Sequence, residues 1–469
     1  MMVQKEKKNE GRVSCSFRDP SGFLFWRDGV LYRQVNDSYR ENYDFLVESG
    51  LLQNLFKEHL LIPHREVDDG EGYGQAYKIL KPEIVSFVSY PYEWSFSQLK
   101  DAALLTLEIQ KKALALGMIL KDASAYNVQF LKGKPIFIDT LSFEKYEEGK
   151  PWVAYRQFCQ HFLAPLALMA FRDVRLNQLL RVYLDGIPLD LASSLLPIRA
   201  KVRLGFFSHL YLHSKSQKHY ANKQVRVGEQ KYKIKKFSLL GLIDSLESTI
   251  KKLKWNPGGT EWGDYYGNTN YQQESFKQKK KLVEEFLSQI KPSTVWDLGA
   301  NTGEFSRIAA DQGVPTISFD IDPAAVEKNY RLVKERGEEN ILPLLADLTN
   351  PSPALGWQGQ ERMSLIERGP ADAVLALALI HHLAISNNLP FSKIAHFFSQ
   401  ICDKNLIIEF VPKTDSNAQR LLATREDIFP NYTVEYFEAA FEPYFLIRQR
   451  KRIENSERIV YLLERKEIL

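Results

Sequence analysis

From residue 257 onward, short apolar runs alternate with stretches that carry apolar residues at helical spacing. Thr294–Leu298, Thr316–Asp322, Ile341–Asp347, Ala371–Leu379 and Asn405–Val411 are runs of strand length with almost no alternation, the pattern of strands covered on both faces. Tyr444–Ile453 and Arg458–Arg465, joined by the turn Glu454-Asn-Ser456, predict a closing antiparallel pair. Strands alternating with helices predict an α/β domain over 257–469 built on a mostly parallel sheet, seven-stranded and Rossmann-like. The beginning of the chain reads differently. Phe17–Phe25 and Val30–Val35 flank Arg27-Asp-Gly29, which predicts a hairpin. Asp101–Leu116 has helical spacing, and Lys134–Asp139 is a strand ending in an acid. Residues 13–198 therefore predict an α+β domain.

Between these parts lies a stretch of another composition. Residues 199–256 hold fourteen Lys and Arg against Glu229, Asp244 and Glu247, about +11. The stretch reads as a basic helical connector, or as a surface for an anionic partner. It lacks the regular aromatic interleave that stacks bases. Over all 469 residues, 62 Lys and Arg against 58 Asp and Glu leave only +4, which argues against a nucleic-acid partner. Cys15, Cys159 and Cys402 are far apart, so no CxxC motif exists and a reducing compartment is implied. The first residues, MMVQKEKKNEGR, have no apolar core of a leader. The apolar run Phe162–Phe171 is too short for a bilayer, and Ala371–Ile385 carries Asp372, His381 and His382. The expectation is a cytoplasmic protein with no membrane span; the oligomeric state is left open.

The chemistry concentrates where strands end. Asp297-Leu-Gly-Ala-Asn-Thr-Gly303 leads from the first run into a helix. Glycines at such a turn let backbone approach a ligand. Gly299 to Asp320 spans 21 positions, about the spacing at which an acid meets a ribose diol. The pattern is not G-x-G-x-x-G, and Asp297 would repel a pyrophosphate while orienting an ammonium group. A ligand with an amine, a ribose and an adenine fits. On these residues the segment 260–469 resembles class I S-adenosylmethionine-dependent methyltransferases. The resemblance implies that Asp297, Gly299, Asn301 and Gly303 form the cofactor loop. It makes Asp320 the ribose acid and Asp347 the acid near the adenine amine. The aromatic segment Gly259–Tyr271 precedes the first strand and reads as a lid over a sulfonium or as a packing segment.

Methyl transfer needs a positioned nucleophile and, for some acceptors, a base. His381 and His382 follow the fourth strand and Glu409 ends the fifth; these are the candidate catalytic groups. Lys413, Asp415 and Arg425, together with Trp357 and Arg362 in the long turn-rich connection 350–362, are candidate substrate contacts. That connection and Glu409-Phe-Val-Pro-Lys413 resemble segments of methyltransferases related to the nodulation protein NoeA, which implies methylation of a small molecule or glycan without fixing the substrate; oxygen is the expected nucleophile, with nitrogen left open. The Asn-Pro-Pro-Tyr motif of base-amino methylation is absent, and no metal-ligand spacing occurs in this region.

The first domain carries a second pattern. Asp122 precedes Asn127 by five positions, and Asp139 follows twelve later at a strand end. This spacing resembles the core of protein-kinase-like and aminoglycoside-phosphotransferase-like folds. It implies Asp122 as base, with Asn127 and Asp139 holding magnesium beside ATP. The sequence departs from that pattern: Leu120-Lys121 stands where His-Arg belongs, Thr140-Leu141 follows Asp139, and no glycine-rich phosphate loop occurs. Two other readings of the chain follow: a phosphotransferase, alone or bifunctional, and a non-catalytic binder of an anionic partner.

Overall fold

A computed structural model describes residues 10–67, 74, 76–198, 209, 234–258, 273–423 and 425–467. The segment 259–271 and nearly all of 199–233 lie outside these residues. The chain divides into two compact units: residues 1–256 with Gly356–Arg362, and 257–355 with 363–469.

In the first unit, strands β1 (Gly11–Arg12), β2 (Gly22–Arg27), β3 (Val30–Asn36), β4 (His64–Val67) and β5 (Ala76–Pro82) form one sheet. Its order is β1-β2-β3-β5-β4, with every pair antiparallel. The expected hairpin is β2–β3. Its turn has Asp28 at φ 50° and Gly29 at φ 71°, the two left-handed residues that a tight two-residue turn requires. The helix expected from Asp101 begins earlier, at Phe96, and ends at Ala115. Ser95 accepts from the Gln98 amide while the Gln98 side chain accepts from the Ser95 amide, a reciprocal cap that sets the start. After the helix come two small antiparallel pairs. They are β6 (Met118–Leu120) with β9 (Phe143–Lys145), and β7 (Val128–Leu131) with β8 (Lys134–Phe137).

The second unit is α/β. Its strands are β10 (Val295–Leu298), β11 (Thr316–Asp320), β12 (Ile341–Leu345), β13 (Ala371–Ala376), β14 (Cys402–Phe410), β15 (Phe445–Arg452) and β16 (Ile459–Arg465). They form a seven-stranded sheet in the order β12-β11-β10-β13-β14-β16-β15. The first five are parallel, and the closing hairpin β15–β16 pairs antiparallel through β16 with β14. β14 starts three residues before the expected Asn405, because Cys402 is paired with Ala371. The chain winds outward from β10 to β12 and returns to β13 on the other side of β10. Open α/β sheets carry ligands at such a reversal, beyond the carboxyl ends of the strands.

Helix Gln273–Ile290 covers one face of this sheet. Val283, Phe286 and Leu287 pack with Val295, Ala373, Leu375, Ile407 and Val460. Among the described residues, no helix is long and apolar enough to cross a membrane. Ile407 is fully buried at the centre of β14. Ile407→Ala should lower unfolding stability by about 2–5 kcal/mol in denaturant titration. A loss below about 1 kcal/mol would mean the site collapses around the deletion.

Candidate functional site

A cleft of about 310 Å³ opens at the carboxyl ends of β10, β11 and β13. Asp297, Gly299, Ala300 and Asn301 line it after β10, and Asp320 after β11. Leu377–Leu379 and His382 line it after β13, and Phe276 and Lys279 come from helix Gln273–Ile290. The loop is held to the sheet from below. The amides of Gly299 and Ala300 both donate to the Phe319 carbonyl at 2.9 Å. Gly299 has φ 76°, and a Cβ there would lie 3.4 Å from Leu379. Gly303 is a glycine for another reason. It does not line the cleft, and a Cβ would meet the Asn329 and Arg307 side chains at 2.6–2.7 Å.

Two buried carboxylates face this cleft. Asp320 Oδ2 accepts from the Asn301 amide at 2.7 Å, and its Oδ1 accepts from the Asp322 amide at 2.8 Å. Asp297 Oδ2 accepts from the Ser306 hydroxyl at 2.6 Å. Among the described residues, neither carboxylate has a Lys or Arg within ion-pair distance. Burial accordingly pushes Asp297 up to about 7, with the Asp320 charge adding to the rise, and pushes Asp320 up to about 6. Lys279, on the same cleft, lowers Asp297 only in part; buried carboxylates with no ion pair of their own suit a ligand that brings an ammonium and hydroxyls.

Other sequence-predicted residues lie differently. Asp347 accepts from the Thr349 amide and hydroxyl at 2.9 and 2.6 Å and is not a lining residue of the cleft. His382 lines the cleft, and burial, then Arg458, lowers its pKa to about 4, leaving a neutral imidazole at ordinary pH. His381 is fully buried behind it, the rings 4.1 Å apart, and neither of its ring nitrogens has a hydrogen-bond partner among the described residues. Burial holds it well below its usual value. Of the two, only His382 reaches the cleft wall. Glu409 is also fully buried. Its carboxylate takes Lys279 Nζ at 2.5 Å, Arg458 Nη1 at 3.4 Å and the Ala378 amide at 2.7 Å. A group so held is an acceptor of fixed bonds rather than a free base.

Lys413 pairs with Asp427 at 2.8 Å, and Asp415 receives Arg458 at 2.6 and 2.9 Å. Arg425 donates to the Ile385 and Ser386 carbonyls and lies over Phe429. Asp415, with Thr414, Arg452 and Arg458, lines a second, polar cleft of about 640 Å³. Trp357 and Arg362 do not belong to this unit, because Gly356–Arg362 packs as part of the first. There Glu361 accepts Arg18 Nη2 at 2.6 Å, and the Arg362 guanidinium stacks 3.9 Å from the Tyr126 ring centre. Residues missed from sequence are Lys279 and Arg458. Lys279 sits in the cationic run Lys277–Lys281, which reads as a solvated helix face.

In the first unit, Asp122, Asn127 and Asp139 do come together. Asn127 shares a hydrogen bond with Asp122 and donates to Ser142 Oγ at 3.2 Å, and the Ser142 hydroxyl donates to Asp139. Burial raises Asp122, with the charge of Asp139 adding to it. Asp139 itself pairs with Arg33 Nη2 at 2.5 Å. Burial alone would raise its pKa; Arg33 and the hydrogen bonds carry it below the usual value. Lys121 donates to Ser21 Oγ at 2.6 Å. The arginine occupies the position in which the resemblance implied magnesium, so the residues present do not fit the metal, and ATP has no support beside it. Among the described residues, no group of three His, Cys, Asp or Glu is arranged to hold a metal.

The sheet order of the second unit, its closing antiparallel hairpin and its acid-lined glycine loop define a class I methyltransferase fold. No protein-family model matches the chain. The nodulation protein NoeA of Rhizobium meliloti strain 1021 is 37% identical over 465 residues, covering 97% of this chain and 97% of that protein. The chain belongs to the NoeA family. Among solved structures, magnesium protoporphyrin IX methyltransferase from Synechocystis PCC 6803, with bound SAH, is 17% identical and covers 43% of this chain and 91% of its own, with a TM-score of 0.32. The N-methyltransferase NodS of Bradyrhizobium japonicum WM9 is 11% identical and covers 42% and 98%, with a TM-score of 0.30.

The Arg33–Asp139 pair makes a prediction. In Mn²⁺ titrations of the full chain followed by electron paramagnetic resonance, Asp139→Asn should leave metal uptake unchanged. A clear loss of uptake in that variant would mean that a metal displaces the arginine.

Proposed function

We propose that this protein is an S-adenosylmethionine-dependent methyltransferase acting on the oxygen of a small-molecule or glycan acceptor. The observation that carries the reading is the pair of buried carboxylates, Asp297 and Asp320, facing one cleft at the strand-order reversal, neither in an ion pair with a described cation; Lys279 lines the same cleft and its charge partly offsets the rise at Asp297. Asp297 would hold the amino group of the cofactor, Asp320 the ribose hydroxyls, and the backbone at Gly299–Asn301 the edge between them. The cofactor supplies an electrophilic methyl group when bound. His382, neutral and on the cleft wall, is the chain's group for taking a proton from an acceptor hydroxyl. The polar cleft at Thr414–Ser416 and Arg452–Arg458 supports a polyhydroxylated acceptor, whose hydroxyls pair with carboxylates and guanidinium groups.

A second reading concerns the first unit. We read it as a kinase-like scaffold without phosphoryl transfer. The meeting of Asp122, Asn127 and Asp139 favours the kinase-like likeness, and the Arg33–Asp139 ion pair weighs against turnover.

Two measurements test the cofactor reading. Calorimetric titration with S-adenosylhomocysteine should give one site per chain, and Asp320→Ala should weaken binding by about 1–3 kcal/mol, the loss of charge-assisted bonds. Unchanged affinity would remove Asp320 from the ribose contact. The second is pH dependence. An ammonium needs Asp297 ionised, and in the free protein this group titrates near about 7. Affinity should therefore rise from pH 5.5 to 7 and level off above it, by up to about tenfold per unit on the acid side. Stability of the free chain runs the other way for these groups. Their folded pKa values lie above the unfolded ones, so protonation favours the fold and the advantage fades as pH rises towards 7. A flat affinity profile would rule out Asp297 as the ammonium partner.

A further inference from the structure

Glu409 does not line the cofactor cleft, yet two of its bonds hold residues that do. Its Oε2 accepts from Lys279 Nζ at 2.5 Å and from the Ala378 amide at 2.7 Å. Its Oε1 accepts from Arg458 Nη1 at 3.4 Å, and Arg458 is held in turn by Asp415. The side chain of Glu409 is 0% exposed, and those of Lys279 and Arg458 are each 3% exposed. Lys279 and Ala378 both line the cleft.

Ala378 stands at φ 50°. An alanine rarely adopts this left-handed conformation, because its Cβ crowds the backbone carbonyl. Such a residue persists only where its surroundings over-determine it. The bond from its amide to a buried carboxylate is that determinant. The next residue, Leu379, packs over the glycine turn, 3.4 Å from where a Cβ on Gly299 would stand. If Ala378 relaxed to a negative φ, the Leu377–Leu379 wall would rotate and Leu379 would leave the Gly299 turn.

We propose that Glu409 is a positioning residue: its carboxylate anchors Ala378 in the left-handed conformation and so aligns the Leu377–Leu379 wall of the cleft. Lys279 and Arg458 hold that carboxylate in place. The inference rests on the methyltransferase reading for its consequence in binding, and on geometry alone for the anchor.

The anchor is tested without ligand, by amide hydrogen exchange of the peptide 374–381 in the full chain. Glu409→Ala should speed exchange there by about tenfold or more, whereas Glu409→Gln, which keeps an acceptor oxygen, should stay within about threefold of the parent. If Glu409→Ala fails to fold, Glu409→Gln decides alone, and acceleration beyond about threefold overturns the anchor. The consequence is tested by S-adenosylhomocysteine titration. Glu409→Ala should weaken binding by about tenfold or more, and adding Ala378→Gly should restore it to within about threefold of Ala378→Gly alone. Glycine takes the left-handed conformation unaided. A merely stabilising ion pair would not be rescued at residue 378, so a double variant as weak as Glu409→Ala overturns the proposal. If the parent chain takes up no S-adenosylhomocysteine, the cofactor reading fails, while the exchange experiment still decides the anchor.

Discussion

Burying a carboxylate in an apolar sheet costs several kcal/mol unless hydrogen bonds and a counter-charge compensate it. Among the described residues of the second unit, Asp297, Asp320 and Glu409 are buried at the carboxyl ends of parallel strands. Glu409 is compensated from within, by Lys279, Arg458 and a backbone amide. Asp297 and Asp320 have hydrogen bonds but no ion pair with a described cation; the charge of Lys279, itself bound to Glu409, only partly offsets the rise at Asp297, and both are pushed towards neutrality. The difference separates structure from function. A carboxylate already paired can only hold its neighbours. One with no ion pair of its own favours a ligand that brings a cation.

The first unit applies the same rule with the opposite result. Asp139 sits where a metal-binding acid is expected, but Arg33, from β3, reaches it across 106 positions of sequence. The guanidinium lowers the carboxylate's pKa and takes the place of a divalent ion. Asp122 has no such partner and is raised. The three residues that define the spacing motif are together in space, while the electrostatics that would let them hold a nucleotide's metal are already neutralised. A spacing motif reports how a loop is folded; the charge balance around it reports what the loop can bind.

Much of the second unit was legible because parallel strands buried on both faces leave unbroken apolar runs, and their ends are marked by Gly or Asp. The strand starts were less so. Cys402-Asp-Lys-Asn405 does not look like a strand, and only its ladder to Ala371 extends β14 that far back. In the first unit, the Ser95–Gln98 cap was written in the sequence as S-x-x-Q, but apolar spacing drew attention to a later start. The loop 350–362 was visible as long and turn-rich. That Gly356–Arg362 joins the first unit, through Glu361 with Arg18 and Arg362 over Tyr126, was not. Ion pairs formed 343 positions apart leave no local pattern.

The same limit explains why Lys279 escaped notice and why Glu409 was read as a candidate catalytic group. In a run of four lysines within five residues, one is turned inward, and nothing in the run says which. Its partner lies 130 positions away. A lone glutamate at a strand end looks free until its cations are located, and free carboxylates at strand ends are where proton transfer is sought. Once Lys279 and Arg458 are in place, Glu409 cannot give up its charge without taking the counter-charge from buried Lys279 and loosening Arg458, which Asp415 also holds, and removing one partner of a buried pair costs more than the pair's net contribution. Among the catalytic groups suggested by the sequence, His382 is the one that lines the cleft, and burial keeps its imidazole neutral.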